Sequence, residues 1–131
     1  MRSKKELKII KLDSGYDMVT EFKKPKRFTG IVEDVKGGYI YYKNGVYHRE
    51  DGPAMKITIN DYTFYKWYLK GKLHREDGPA IDRSHTAKIL GVTALIPVYY
   101  LFGRRYKNKE EHKKAVRCLK IERILAKINK H

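Results

Sequence analysis

His48-Arg49-Glu50-Asp51-Gly52-Pro53-Ala54 recurs without change as His74-Arg75-Glu76-Asp77-Gly78-Pro79-Ala80, 26 residues further on. Seven identical residues do not repeat by chance in a chain of 131. The fold is therefore expected to be built from copies of one supersecondary unit. Repetition also changes how each polar residue is read. A catalytic residue is needed once, whereas a residue that holds a repeat together is needed in every copy.

Working outward, Tyr42-Lys43-Asn44-Gly45 before the first heptapeptide matches Tyr68-Leu69-Lys70-Gly71 before the second, and a degenerate third copy stands at Tyr100-Leu101-Phe102-Gly103-Arg104-Arg105-Tyr106. A partial unit is expected ahead of the first, with Thr29-Gly30-Ile31 in the place of Pro53-Ala54-Met55. Tyrosine-, isoleucine- and threonine-rich runs bounded by glycine and asparagine predict strands. Asn44-Gly45 supplies the positive φ of a two-residue hairpin turn. The predicted class is α+β, an antiparallel β-meander of stacked hairpin repeats with a C-terminal amphipathic helix. Its parts are a basic N-terminal segment (1–28), a hairpin-repeat region (29–107) and the helix (108–131), in one compact domain.

The matching positions Tyr42, Asn44, Gly45, His48–Ala54, Tyr68, Gly71 and His74–Ala80 carry a resemblance to MORN-like hairpin repeats. The pattern is closer still to the Tyr-Leu-Asn-Gly-Lys-x-His-Arg-Glu-Asp-Gly-Pro-Ala repeats of proteins from large bacteriophages and giant viruses. The resemblance covers roughly residues 29–112, and Gly103 to Glu111 looks like the segment that closes such arrays. It implies an interaction scaffold, with no shared chemistry, in a phage or viral accessory factor that acts on host machinery inside the infected cell.

The net charge is +15, and its layout says more than its size. Residues 1–28 carry nine Lys/Arg against four Asp/Glu, and 103–131 carry eleven against three, while 29–102 carry ten against eight. A balanced scaffold with basic ends points to a polyanionic or acidic partner. The predicted binding residues are Lys113, Lys120, Arg123, Lys127 and Lys130 along one side of the helix, supported by Lys23, Lys24, Lys26 and Arg27 in a linker interrupted by Pro25. Asn108 with Glu111 predicts a capping box at the helix start. Ala115, Cys118, Leu119, Ile121, Ile124, Leu125, Ala126 and Ile128 predict one wide apolar face, docked on the sheet and wide enough for a homodimer. Leu7, Ile9, Ile10 and Leu12 fit a strand or a short helix.

The heptapeptides hold every residue type that a general acid–base site or a metal site uses. The expected role is structural instead, for His48, Arg49, Asp51, Gly52 and Pro53 and for His74, Arg75, Asp77, Gly78 and Pro79. In that reading glycine relieves strain before proline, aspartate bonds the turn backbone, arginine pairs with a carboxylate and histidine bonds a strand carbonyl. His85, His112 and His131 show no ligand spacing, and neither a cofactor nor a metal is expected. Cys118, the single cysteine, excludes an internal disulfide and is expected to be buried. The charged N-terminus shows no secretory signal. The run Ile89–Phe102 is too short to span a bilayer, so an intracellular, cytoplasmic protein is expected. Tyr39, Tyr41, Tyr42, Tyr62, Phe64, Tyr65, Trp67 and Tyr68 exceed what one sheet face can bury, so some are expected to be exposed. These would stack bases or anchor a partner. Three readings follow. The first is a binder of nucleic acid or a host nucleoprotein, the second an inhibitor or adaptor for an acidic host protein, and the third a small nuclease-like enzyme using His48 or His74.

Overall fold

The computed structural model describes residues 8–12, 25–59, 62–84 and 97–129. Lys23, Lys24, Asn60, Asp61, His85, Lys130, His131 and most of the stretch 82–99 lie outside them.

The α+β class holds: strand hairpins and one C-terminal helix. The strands are β1 (Lys8–Leu12), β2 (Gly30–Asp34), β3 (Tyr39–Lys43), β4 (Val46–Tyr47), β5 (Met55–Ile59), β6 (Tyr62–Lys66), β7 (Tyr68–Leu69), β8 (Lys72–Leu73), β9 (Ile81–Asp82), β10 (Tyr99–Leu101) and β11 (Arg104–Tyr106). The helix α1 spans Lys109–Ile128. The strands do not form one meander. The main sheet runs β1-β2-β3-β5-β6-β9 with β4 hydrogen-bonded to β3, while β7-β8 and β10-β11 are separate two-stranded ribbons. Of the alternatives for the N-terminal apolar run the strand is realised, and it pairs parallel to β2 with Ile9 opposite Ile31. A parallel pair cannot be closed by a hairpin and needs a long crossover, which the chain between Leu12 and Gly30 is long enough to make.

Three tight hairpins share one turn. Asn44-Gly45, Lys70-Gly71 and Phe102-Gly103 have φ of 50° and 84°, 50° and 83°, and 48° and 83°. Positive φ at both central residues is the type I′ geometry that matches strand twist. Glycine takes the second position without cost, but Lys70 and Phe102 hold a conformation unfavourable to residues with a Cβ. The Asp34–Gly38 turn between β2 and β3 is closed differently. Asp34 Oδ1 accepts from Lys36 N (2.9 Å) and Gly38 N (2.8 Å).

The core lies on one face of the main sheet, where Val32 and Ile40 are fully buried among Phe28, Tyr42 and Met55, flanked by Ile10, Ile57, Tyr47 and Tyr68. An aromatic ladder extends it from hairpin to hairpin: Phe28 to Tyr42 (5.7 Å between ring centres), Tyr42 to Tyr47 (5.3 Å), and Tyr47 to Tyr68 (5.0 Å). Burial first, and then Tyr47, pushes the Tyr42 hydroxyl up to about 12.

The partial first unit is real but displaced by one residue. Val32 pairs with Ile40 as Met55 pairs with Lys66, so Gly30-Ile31-Val32 stands where Pro53-Ala54-Met55 stands later.

Lys70→Asn places a residue that tolerates left-handed backbone at the strained turn position. It is expected to stabilise the fold by roughly 0.5 kcal/mol and to raise the midpoint of thermal unfolding by a few degrees, read by circular dichroism.

Candidate functional site

The heptapeptides build a repeated brace, and the two copies match almost atom for atom. The Arg49 guanidinium lies 4.2 Å from the Tyr41 ring centre, and that of Arg75 lies 4.0 Å from the Trp67 ring. Stacked cations of this kind contribute about 0.5–2 kcal/mol each. Each arginine Nε donates to the aspartate two residues on (2.9 Å in both copies), and each Nη1 donates to the proline carbonyl (3.2 Å in both). The contact with Arg49 holds the exposed Asp51 carboxyl below its ordinary range.

Gly52 and Gly78 are absent from the positive-φ residues. Space requires them: an added Cβ would stand 3.0 Å from Arg49 Cζ and 2.9 Å from Arg75 Cζ. The folded-back guanidinium gives a steric reason for glycine at both positions. The aspartates pair with the arginine of their own heptapeptide.

The histidines differ from expectation too. They do not bond strand carbonyls through their rings. His48 Nδ1 accepts the backbone N–H of Lys70, and His74 Nδ1 accepts that of Phe102, both at 2.9 Å. Each histidine thus receives the turn of the next hairpin. The adjacent glycine completes the joint: Gly71 N donates to Tyr47 O and Gly103 N to Leu73 O, both at 2.8 Å. Thr29 takes the histidine's place in the first unit, where its Oγ1 accepts Asn44 N (3.0 Å) while Gly45 N donates to Phe28 O (2.8 Å). The other ring edge differs between copies: His74 Nε2 is within hydrogen-bond distance of Glu76 (3.2 Å), whereas His48 Nε2 lies 3.6 Å from the exposed Glu50. Both histidines are buried. Among the described residues no three His, Cys, Asp or Glu side chains gather as a metal site.

The expected exposure of some aromatics is met by Tyr62 alone. Tyr41 and Tyr42 do lie on opposite faces, but the second face is covered by the folded-back arginines. Tyr39, Tyr41, Tyr65 and Trp67 are half-buried, and of the eight aromatics named above only Tyr62 is exposed.

Helix α1 begins as predicted, with Asn108 Oδ1 accepting Glu111 N at 2.9 Å and Glu110 and Glu111 in the first turn, where the helix dipole favours them. Its docking differs from the prediction. His112 and Val116 are buried, and Ala115 and Leu119 half-buried. His112, which sequence reasoning passed over, is the anchor: its Nε2 is 2.6 Å from Arg75 O, and its ring packs beside Tyr99 and Tyr106. The i, i+3, i+4, i+7 spacing of His112, Ala115, Val116 and Leu119 was its only signal.

Ile121, Ile124, Leu125 and Ile128 repeat that spacing but are 52–61 % exposed, and Cys118 is exposed as well. The second set starts nine residues after the first, which is two and a half turns at 3.6 residues per turn. It therefore lies on the opposite side of the helix. The single wide docked face splits into two narrow ones, only one of them seated.

The predicted cationic row is also divided. Arg123 is not free, since it forks onto Glu76 with Nη1–Oε1 at 2.7 Å and Nη2–Oε2 at 2.9 Å. That fork, despite partial burial and helped by His74, lowers the Glu76 carboxyl to about 2. Glu50, identical in sequence, is solvent-exposed. Lys113, Lys120 and Lys127 are exposed and form no ion pair with a described residue, and Lys114 and Arg117, which the predicted row omitted, join them. Lys26 and Arg27 are exposed. Among the described residues no helix is long and apolar enough to cross a membrane.

Fold and braces together define a stacked β-hairpin scaffold carrying a half-docked basic helix. No protein-family model matches the chain, and no curated protein or solved structure matches it either.

His48→Ala and His74→Ala each leave a turn N–H without its acceptor, at an expected cost of about 1–3 kcal/mol, measured by urea unfolding. The Glu76–Arg123 fork adds acid sensitivity. Glu76 has a folded-state value of about 2 against an ordinary 4.5, so its contribution is present above pH 4.5 and is lost as pH falls towards 2. Glu76→Gln is expected to flatten the stability profile in that window, read by urea unfolding across pH.

Proposed function

We propose that this protein is a non-enzymatic binding protein whose C-terminal helix engages an anionic partner, an acidic protein of the infected cell, with the hairpin stack as its rigid mount. The observation that carries the reading is the exposed set Lys113, Lys114, Arg117, Lys120 and Lys127, with no ion pair to any described residue, on a helix whose residues 120–129 are all exposed. Helix surfaces mix signs when they are merely solvated, and here Glu122 is the only acidic residue after the first turn. The burial of His48 and His74, with Nδ1 of each accepting a turn N–H, supports a structural role for the heptapeptides over a catalytic one.

The second reading, nucleic acid or a nucleoprotein, is supported by the excess of eight positive charges over residues 103–131. An acidic protein is preferred because Arg123 has left the cationic row and aliphatic side chains lie among the remaining cations. Phosphate contacts call for charge alone, and a protein surface rewards both.

Replacing Lys113, Lys120 and Lys127 together by Glu is expected to leave the unfolding temperature within about 2 °C, as surface changes do. Affinity for polyglutamate and for duplex DNA should fall at least tenfold at low salt. Unchanged affinity for both polyanions would sink the proposal. Capture from host lysate that survives nuclease treatment supports the protein partner, and capture lost on nuclease treatment supports the nucleic-acid one.

A further inference from the structure

We infer that the exposed face of the C-terminal half of α1 is a recognition surface that inserts Ile121, Ile124, Leu125 and Ile128 into an apolar groove, rimmed by carboxylates, on the partner protein. The inference rests on the reading that this helix faces an anionic partner, and it names how the partner is recognised.

Four aliphatic side chains at i, i+3, i+4 and i+7 make a continuous stripe. All four are more than half exposed, on the side of the helix away from the residues that seat it. The fold gains nothing from them. The seat is made by His112, Val116 and the Arg123–Glu76 fork. A contiguous exposed apolar patch rimmed by polar groups marks an interaction surface.

The shape of the occupant follows from access. The side bearing the stripe is open from Lys120 to Asn129, while Arg123 ties the other side to Glu76, so a partner reaches the helix from the stripe side. Its charge follows from the rim. With Arg123 taken up by Glu76, the helix between Lys113 and Asn129 offers Lys113, Lys114, Arg117, Lys120 and Lys127 against Glu122 alone. A groove with acidic edges pairs with these cations while their methylene stems pack on its walls.

A second copy of this chain fits poorly. It would set one cationic rim against another, between molecules each carrying +15. Four half-exposed side chains also offer only on the order of 400 Å² per copy, about half of what each partner gives to a standard interface. A lipid surface is disfavoured because the stripe holds no tryptophan, tyrosine or phenylalanine to anchor it at the headgroup level.

The test uses the full-length chain and calmodulin as the probe. With calcium it presents an open apolar groove in an acidic protein; without calcium it stays acidic with the groove closed. The variant Ile121→Gln/Ile124→Gln/Leu125→Gln keeps charge and helix propensity and should unfold at the wild-type temperature. Wild type is expected to bind the calcium-loaded form at least tenfold more tightly than the calcium-free form. The glutamine variant should lose at least thirtyfold towards the loaded form and be unchanged towards the other. Equal affinity for the two forms, or binding indifferent to the glutamines, overturns groove insertion. If the Lys113/Lys120/Lys127 reversal still abolishes binding in that case, the anionic-partner reading stands alone. If the reversal has no effect either, both fall. Stripe-dependent dimerisation in sedimentation equilibrium, or stripe-dependent binding to phosphatidylserine vesicles without calmodulin binding, would assign the stripe to those occupants and overturn the inference.

Discussion

A backbone N–H at the tip of one hairpin, donated to a ring nitrogen of the unit before it, is the contact on which the stacked arrangement depends. Lys70 and Phe102 donate it to His48 and His74, and Asn44 donates it to Thr29. A tight turn points its N–H groups away from its own strands, and buried donors left without acceptors are costly. The next hairpin therefore has one good place to sit. The neighbouring glycine N–H reaches a carbonyl at 2.8 Å in all three cases, so each joint is fixed by two bonds. The left-handed conformation of Lys70 and Phe102 is tolerated because it aims both bonds.

The arginines act on the other face. Arg49 and Arg75 fold over Tyr41 and Trp67 and tie the aspartate and proline of their own loops, with glycine clearing the space. Aromatics that a small sheet would expose are covered by its own loops. Exposed large apolar side chains remain singly at Ile9, Val35, Val46, Tyr62 and Phe102, and as a continuous stripe on the helix at Ile121, Ile124, Leu125 and Ile128.

Much of this was legible because it is local. The Asn44-Gly45 turn, the repeat period, the cap at Asn108 and the extent of α1 each depend on a few adjacent residues. The roles of individual heptapeptide residues were less so. Gly52 looks like a backbone requirement until the guanidinium above it is seen, and a histidine beside two carboxylates gives no sign that its ring nitrogen receives an amide 22 residues away. The parallel pairing of β1 depends on a contact across a long connection that no neighbouring residue encodes. The helix was misread for a geometric reason. Two narrow stripes half a turn apart sum to one wide stripe when apolar positions are counted together. Only Glu76 across from Arg123, and the Arg75 carbonyl across from His112, decide which stripe is seated.

Both of those partners belong to the heptapeptide. The site that receives the helix is therefore written into the repeat itself, and Arg49 and Glu50 hold the same sequence one unit earlier. There, the following hairpin carries no helix behind it. The helix's position is thus set by where the run of units stops. A chain that gained or lost one 26-residue unit would carry the same seat at its new end and would move its basic helix by one layer, without any change in the helix sequence.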